Sequence, residues 1–210
     1  MLFRSEFEMY VPALLILAVV MMIFQTSMTV AREVEGGTLR RLQMTNMTAF
    51  DLLGGISLTQ VLIGVIAVIF TFLIAVLLGF HSQGSLWLAI LVGVLTSFSI
   101  IGVGLIIACL ARTVSEAFIY ANFPLIFLMF FTGATFPIPA VPLFTIGSRT
   151  IGLFDALPPT HAVVALNKVL TLGAGFSDIL YELAALTILS FLYFGIGVWL
   201  FQKIRLHKSS

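Results

Sequence analysis

Asp155 and His161 lie six residues apart and Ser148 stands seven residues before the aspartate, so the three residue types of a hydrolytic triad occur in one short stretch. Their chemistry would be acyl transfer, with the serine attacking, the histidine taking its proton and the aspartate orienting the ring. The surroundings oppose it. Pro158 and Pro159 separate acid from base, and no Gly-x-Ser-x-Gly turn frames the serine. No Gly-x-x-x-x-Gly-Lys-Ser/Thr loop is present to cradle ATP phosphates, and no His-Glu-x-x-His or Cys/His cluster has metal-ligand spacing. The chain is therefore expected to be no enzyme and to carry no metal or cofactor of its own.

The elements that hold these residues explain why the chemistry is sparse. Of 210 residues, 60% are hydrophobic and 9% charged, with a mean hydropathy of +1.18. Too few polar side chains remain to cover a water-soluble globule, so lipid must be the solvent for most of the chain. The net charge of +1 offers no field for nucleic acid. The single Cys109 sits in an apolar run and reads as a packing residue. The 20 Phe and 8 Met read as lipid-facing or packing side chains.

A helix needs about 20 apolar residues to cross the hydrocarbon core. Uncharged runs of that length predict five spans near residues 10–29, 54–78, 86–110, 117–131 and 180–201, forming one transmembrane domain over residues 1–210. The polar turn His81-Ser82-Gln83-Gly84-Ser85 divides the long run between Asp51 and Arg112. The expected fold is thus an all-α, polytopic integral membrane protein.

Lys and Arg orient it. Arg32, Arg40, Arg41, Arg112, Lys203, Arg205 and Lys208 fall at one end and Arg4, Arg149 and Lys168 at the other, so the first end, with the C-terminus, is expected to be cytoplasmic. Five spans then leave the N-terminus outside, which leads to the expectation that a preceding span is missing, through a split gene, a truncation or a misassigned start codon.

Two connections are more than loops. Residues 31–51 are the most polar stretch, in which Gly36-Gly37 permits a sharp turn and Leu39 and Leu42 oppose Arg40 and Arg41 on a short amphipathic surface helix. This stretch reads either as a charged loop that enforces topology or as a docking surface. Thr48 and Asp51 have capping-box spacing for the next span. Arg112 and Glu116 can pair at i, i+4. Residues 132–178 are too apolar for a solvated loop. Pro137, Pro139 and Pro142 disfavour a continuous helix, so a re-entrant or interfacial pair of short helices is expected on the extracellular side. Pro158-Pro159 marks a second break, Thr160 can cap the helix after it, and that helix, over residues 161–172, ends at Gly173-Ala174-Gly175.

The run Arg32-Glu33-Val34-Glu35-Gly36-Gly37-Thr38-Leu39-Arg40-Arg41-Leu42 between two spans resembles the cytoplasmic segment of ABC-2 type transporter permeases. So do Phe136-Pro137-Ile138-Pro139 and Ala156-Leu157-Pro158-Pro159-Thr160-His161-Ala162 before the last span. The resemblance covers the chain from that family's second span to its last. It implies a permease subunit of an ATP-driven exporter in a prokaryotic plasma (inner) membrane, in a homo- or heterodimer with a second permease subunit. A separate cytoplasmic ATP-binding cassette subunit would bind ATP and Mg and hydrolyse the nucleotide. It further implies that Glu33 to Leu42 form or flank a coupling helix docked on that ATPase, and that the Pro-rich outer connection, with Phe136, Pro137, Pro139, Pro158, Pro159 and His161, caps the exit. Two alternatives are a non-transporting scaffold or accessory subunit and an ion-coupled secondary transporter; the lack of midplane carboxylates weighs against the second.

Overall fold

A computed structural model describes residues 2–38, 48–133, 142–146 and 149–206. The described part is a predominantly helical bundle with five helices long and apolar enough to cross a membrane: Tyr10–Glu35, Phe50–Leu77, Leu86–Leu110, Val114–Phe131 and Phe176–Ile204. The protein is a multi-pass membrane protein.

The first span is built from α1 (Leu2–Val20) and α2 (Met22–Glu35), joined through Met21, whose backbone stays in the right-handed helical region. The helix runs past residue 29 because Arg32, Glu33 and Glu35 are good helix formers and nothing interrupts the ladder before Gly36-Gly37. Gly37 then takes a φ of +71°, which a side chain would resist. Thr48 and Asp51 start α3 (Ala49–Leu77) with the reciprocal bonds of a capping box: Thr48 N–H donates to Asp51 Oδ2 at 2.8 Å and Asp51 N–H to Thr48 Oγ1 at 3.2 Å. With that cap, helix begins at Ala49 and carries Gly54-Gly55 within it.

The most buried span is α4 (Leu86–Leu110), which packs on α2, α3 and most extensively on α7 (Leu180–Phe201). Close approach follows from glycine. A Cβ at Gly102 would lie 2.6 Å from Phe194 N and 2.7 Å from Tyr193 C, and one at Gly197 would lie 2.8 Å from Leu105 Cβ. Lipid supplies no hydrophobic drive between helices, so this backbone proximity, with its dispersion contacts, replaces it. Ser99 and Ser190 share a hydrogen bond at 2.6 Å across the same interface. Outward, Leu58, Ile66, Phe70, Ile188 and Phe191 are exposed to the position of the lipid.

The fourth span, α5 (Val114–Phe131), carries Pro124 and is mostly peripheral. The connection after it departs from the expected pair of short helices. Antiparallel strands β1 (Pro142–Ile146) and β2 (Arg149–Gly152) pair Ile146 with Arg149 across only two residues. The β-branched and aromatic run Phe144-Thr145-Ile146 favours a strand, which the prolines alone did not announce. A 3₁₀ turn, Leu153–Ala156, leads into α6 (Pro158–Leu172), the short helix that was expected, ending at Gly173 with φ +65°.

The two tryptophans mark the borders. Trp87 opens α4, stacked 6.0 Å from Phe176, and Trp199 closes α7 at the opposite end, with Lys203 Nζ 4.9 Å from its ring centroid. Tyr181 and Trp199 lie 18 residues apart along α7, about 27 Å of helix, close to the roughly 30 Å of hydrocarbon.

Gly102→Ala is expected to destabilise the folded protein by about 1–3 kcal/mol through overpacking. Gly195→Ala, where an added Cβ meets nothing within 4 Å, is expected to be neutral or slightly stabilising. Thermal unfolding of the two variants in detergent checks the contrast.

Candidate functional site

The charged side chains described by the structure collect at the helix ends. At the basic end, Val30, Leu53, Leu105, Ala108, Cys109 and Phe201 form a small apolar cluster from four spans, and the polar groups sit beyond it. Arg32 and Glu35 are exposed and Glu33 is half-buried on the last turn of α2, with Gly36, Gly37 and Thr38 following. Residues 32–38 therefore form a helix end and its turn, and the surface helix expected around Leu39 and Leu42 falls beyond them. Thr38 Oγ1 donates to Glu33 Oε2 at 2.7 Å, which folds the turn back on its own helix. Gly36 N–H donates to Arg32 O at 2.8 Å and Gly37 N–H to Val34 O at 3.2 Å, satisfying carbonyls at the helix terminus. Leu39, Arg40, Arg41 and Leu42 lie outside the described residues.

The neighbouring helix start is equally ordered. Thr113 Oγ1 accepts Glu116 N–H at 3.2 Å, while Glu116 Oε2 accepts the backbone N–H of Arg112 at 2.7 Å. Glu116 thus meets Arg112 through its amide, and among the described residues Lys168–Glu182 is the one ion pair within 4 Å. Glu35 Oε2 reaches across from α2 and accepts Val114 N–H at 2.9 Å. Ala31, Ala111 and Ala117, all fully buried and packed with Met28, let the two helices approach closely enough for that bond. An anion at a helix N-terminus contributes about 0.3–1 kcal/mol when exposed. Sequence reading assigned Glu35 to the docking surface and missed this bond, because residues 35 and 114 are remote in the chain.

At the opposite end α6 lies across the bundle, against α1, α4 and α7. Gln83 N–H donates to Leu170 O at 3.0 Å, and a Cβ on Gly84 would collide with the Val169 carbonyl. Pro158 and Pro159 occupy the first turn of α6, where their missing N–H groups cost no helical bond, and both are buried. Thr160 does not cap the helix, which has already begun; its hydroxyl donates to Phe154 O at 2.9 Å. Buried His161 donates from Nε2 to the Asp155 carbonyl at 2.8 Å and packs its ring edge against Tyr181 at 5.9 Å. Asp155 Oδ2 is occupied by Gly152 N–H at 2.9 Å, so acid and base do not meet as a triad requires. Phe136, Pro137 and Pro139 lie outside the described residues. Among the described residues no group of three or more His, Cys, Asp or Glu could hold a metal ion.

Lys168 of α6 pairs with Glu182 of α7 at 2.7 Å, with the glutamate side chain 5% exposed. Glu182 Oε2 has no hydrogen-bond partner among the described residues, so the lysine carries most of the compensation for that buried charge. Sequence spacing gave no sign of the pair, because Gly173-Ala174-Gly175 and the 3₁₀ turn Phe176–Ile179 fold the chain back on itself.

The chain as a whole matches the profile described as ABC-2 family transporter protein over residues 4–199. No curated protein and no solved structure gives a significant match.

Lys168→Ala is expected to lower stability by about 3 kcal/mol by stranding Glu182, and adding Glu182→Gln is expected to recover most of the loss. A double-mutant cycle from thermal unfolding checks both.

Proposed function

The chain belongs to the ABC-2 family of transporter proteins as a membrane-embedded permease, and from that premise we propose that it serves an ATP-driven exporter, coupled to a separate cytoplasmic ATPase. One observation carries the coupling role: the first span continues as unbroken helix through Arg32, Glu33 and Glu35 to a glycine turn, and its last turn is bonded to the start of another span. A segment joined to such an end transmits force to the bundle, whereas a slack loop would absorb it.

In this reading residues 32–42 form or flank the docking element, with Arg40 and Arg41 as the charged contacts to the ATPase and Leu39 and Leu42 as the apolar ones. ATP and Mg belong to the partner, which supplies the free energy of hydrolysis. A second permease subunit, identical or related, completes the pathway between two bundles. The basic end then faces the cytoplasm of a prokaryotic cell with the C-terminus beside it, in keeping with the Lys and Arg distribution. Nucleotide binding draws the ATPases together, moves the docking segments, and tilts the spans so that a cavity opens on the side closed by α6. Pro158, Pro159 and His161 hold the start of α6 against the bundle, and its contacts with α4 and α7 are those that outward opening must rearrange.

The tagged protein purified from its native host in mild detergent is expected to carry an ATPase with vanadate-sensitive hydrolysis. Arg40→Glu combined with Arg41→Glu is expected to lose that ATPase while the permease still inserts. Elution alone, without hydrolysis, or full coupling in the double variant, contradicts this function or this docking surface respectively.

A further inference from the structure

Glu35 occupies an unusual position for a residue on a docking surface. Its carboxylate accepts the backbone N–H of Val114 at 2.9 Å, the first residue of α5. Thr113 and Glu116 cap that helix from its own first turn. Glu35 adds a hydrogen-bonding group from another span to the start of α5. Glu35 is the last helical residue of the first span, and two residues later Gly37 adopts its left-handed turn. Behind the bond, Ala31, Ala111 and Ala117 are packed without exposed surface, so the two helices cannot slide apart locally without opening a small buried contact.

We propose that Glu35 is a positioning residue that ties the docking segment to the fourth span, so that displacement of residues 36–42 moves the start of α5 together with the end of α2. This inference rests on the ATP-driven reading above. The physical basis is a directional bond from a carboxylate to a helix N-terminus, made between two helices and placed at the last helical residue before a glycine turn. A charged side chain facing only the ATPase would leave Val114 N–H without this acceptor. The consequence is a division of labour within the segment: Arg40 and Arg41 hold the ATPase, and Glu35 passes its motion to a helix that the segment does not lead into.

The test uses the full-length permease with its co-purifying ATPase in lipid nanodiscs. Amide exchange over residues 112–117 reads the bond, and a spin label at Ser115→Cys reads the response of α5 to Mg-ATP with vanadate. Ser115 is exposed and suits labelling. In Glu35→Ala, exchange over residues 112–117 is expected to rise roughly three- to tenfold, the change given by one lost hydrogen bond. The nucleotide-dependent change at the Ser115 label is expected to disappear while the ATPase stays bound. Glu35→Gln, which keeps an acceptor oxygen, is expected to retain part of both signals, and Thr48→Ala, which uncaps α3 instead, is expected to leave exchange over residues 112–117 unchanged.

Unchanged exchange in Glu35→Ala overturns the bond. Faster exchange with an intact nucleotide response overturns the relay and leaves a structural cap. Loss of the ATPase from Glu35→Ala makes Glu35 a docking contact and overturns the proposal as well. Absence of an ATPase from the unsubstituted protein defeats the exporter reading itself, and the relay with it, which distinguishes the two failures.

Discussion

Hydrocarbon offers the backbone no hydrogen-bond partner, and every other feature of this bundle follows from the need to satisfy N–H and C=O groups internally. The spans are helices because a helix closes its own ladder, and they begin and end where side chains can serve the groups a ladder leaves open. Thr48 with Asp51 and Thr113 with Glu116 perform that service at two helix starts, and Gly37 and Gly173 end two others. Among the described residues the charged side chains are consequently concentrated in two layers, one at each end of the bundle.

Within lipid the same constraint limits what can hold helices together. Large apolar side chains gain little by leaving lipid for a neighbouring helix, so cohesion comes from close approach and from small polar groups. The α4–α7 interface uses both, through Gly102, Gly197 and the Ser99–Ser190 hydrogen bond. On the proposed function, peripheral helices such as α5 are displaced at their ends while this central pair stays together. The end layers are then the natural places for moving contacts, with Glu35 at one and Lys168–Glu182 at the other.

Much of this was legible in the sequence. Uncharged runs separated by polar punctuation revealed five crossings, because charge is costly at membrane depth, and the Thr48-x-x-Asp51 spacing announced its cap. Helix boundaries were less visible: Arg32, Glu33 and Glu35 look like loop by polarity, yet all favour helix until glycine intervenes. The outer connection was misread between Phe144 and Arg149, where proline drew attention away from a β-branched run around Gly147-Ser148. Contacts between residues remote in the chain, Glu35 with Val114 and Lys168 with Glu182, left no local pattern and emerged only once the helices were assembled.

The central claim is that the basic end of this permease carries the surface on which an ATPase docks. Site-specific photocross-linking measures it directly, with a photoreactive amino acid at Thr38, beside the glycine turn, or at exposed Ser177, at the opposite end. The account predicts an adduct containing an ATP-binding cassette protein, identified by mass spectrometry, from position 38 and none from position 177. An ATPase adduct from position 177, or from neither position in a complex that retains its ATPase, would contradict it.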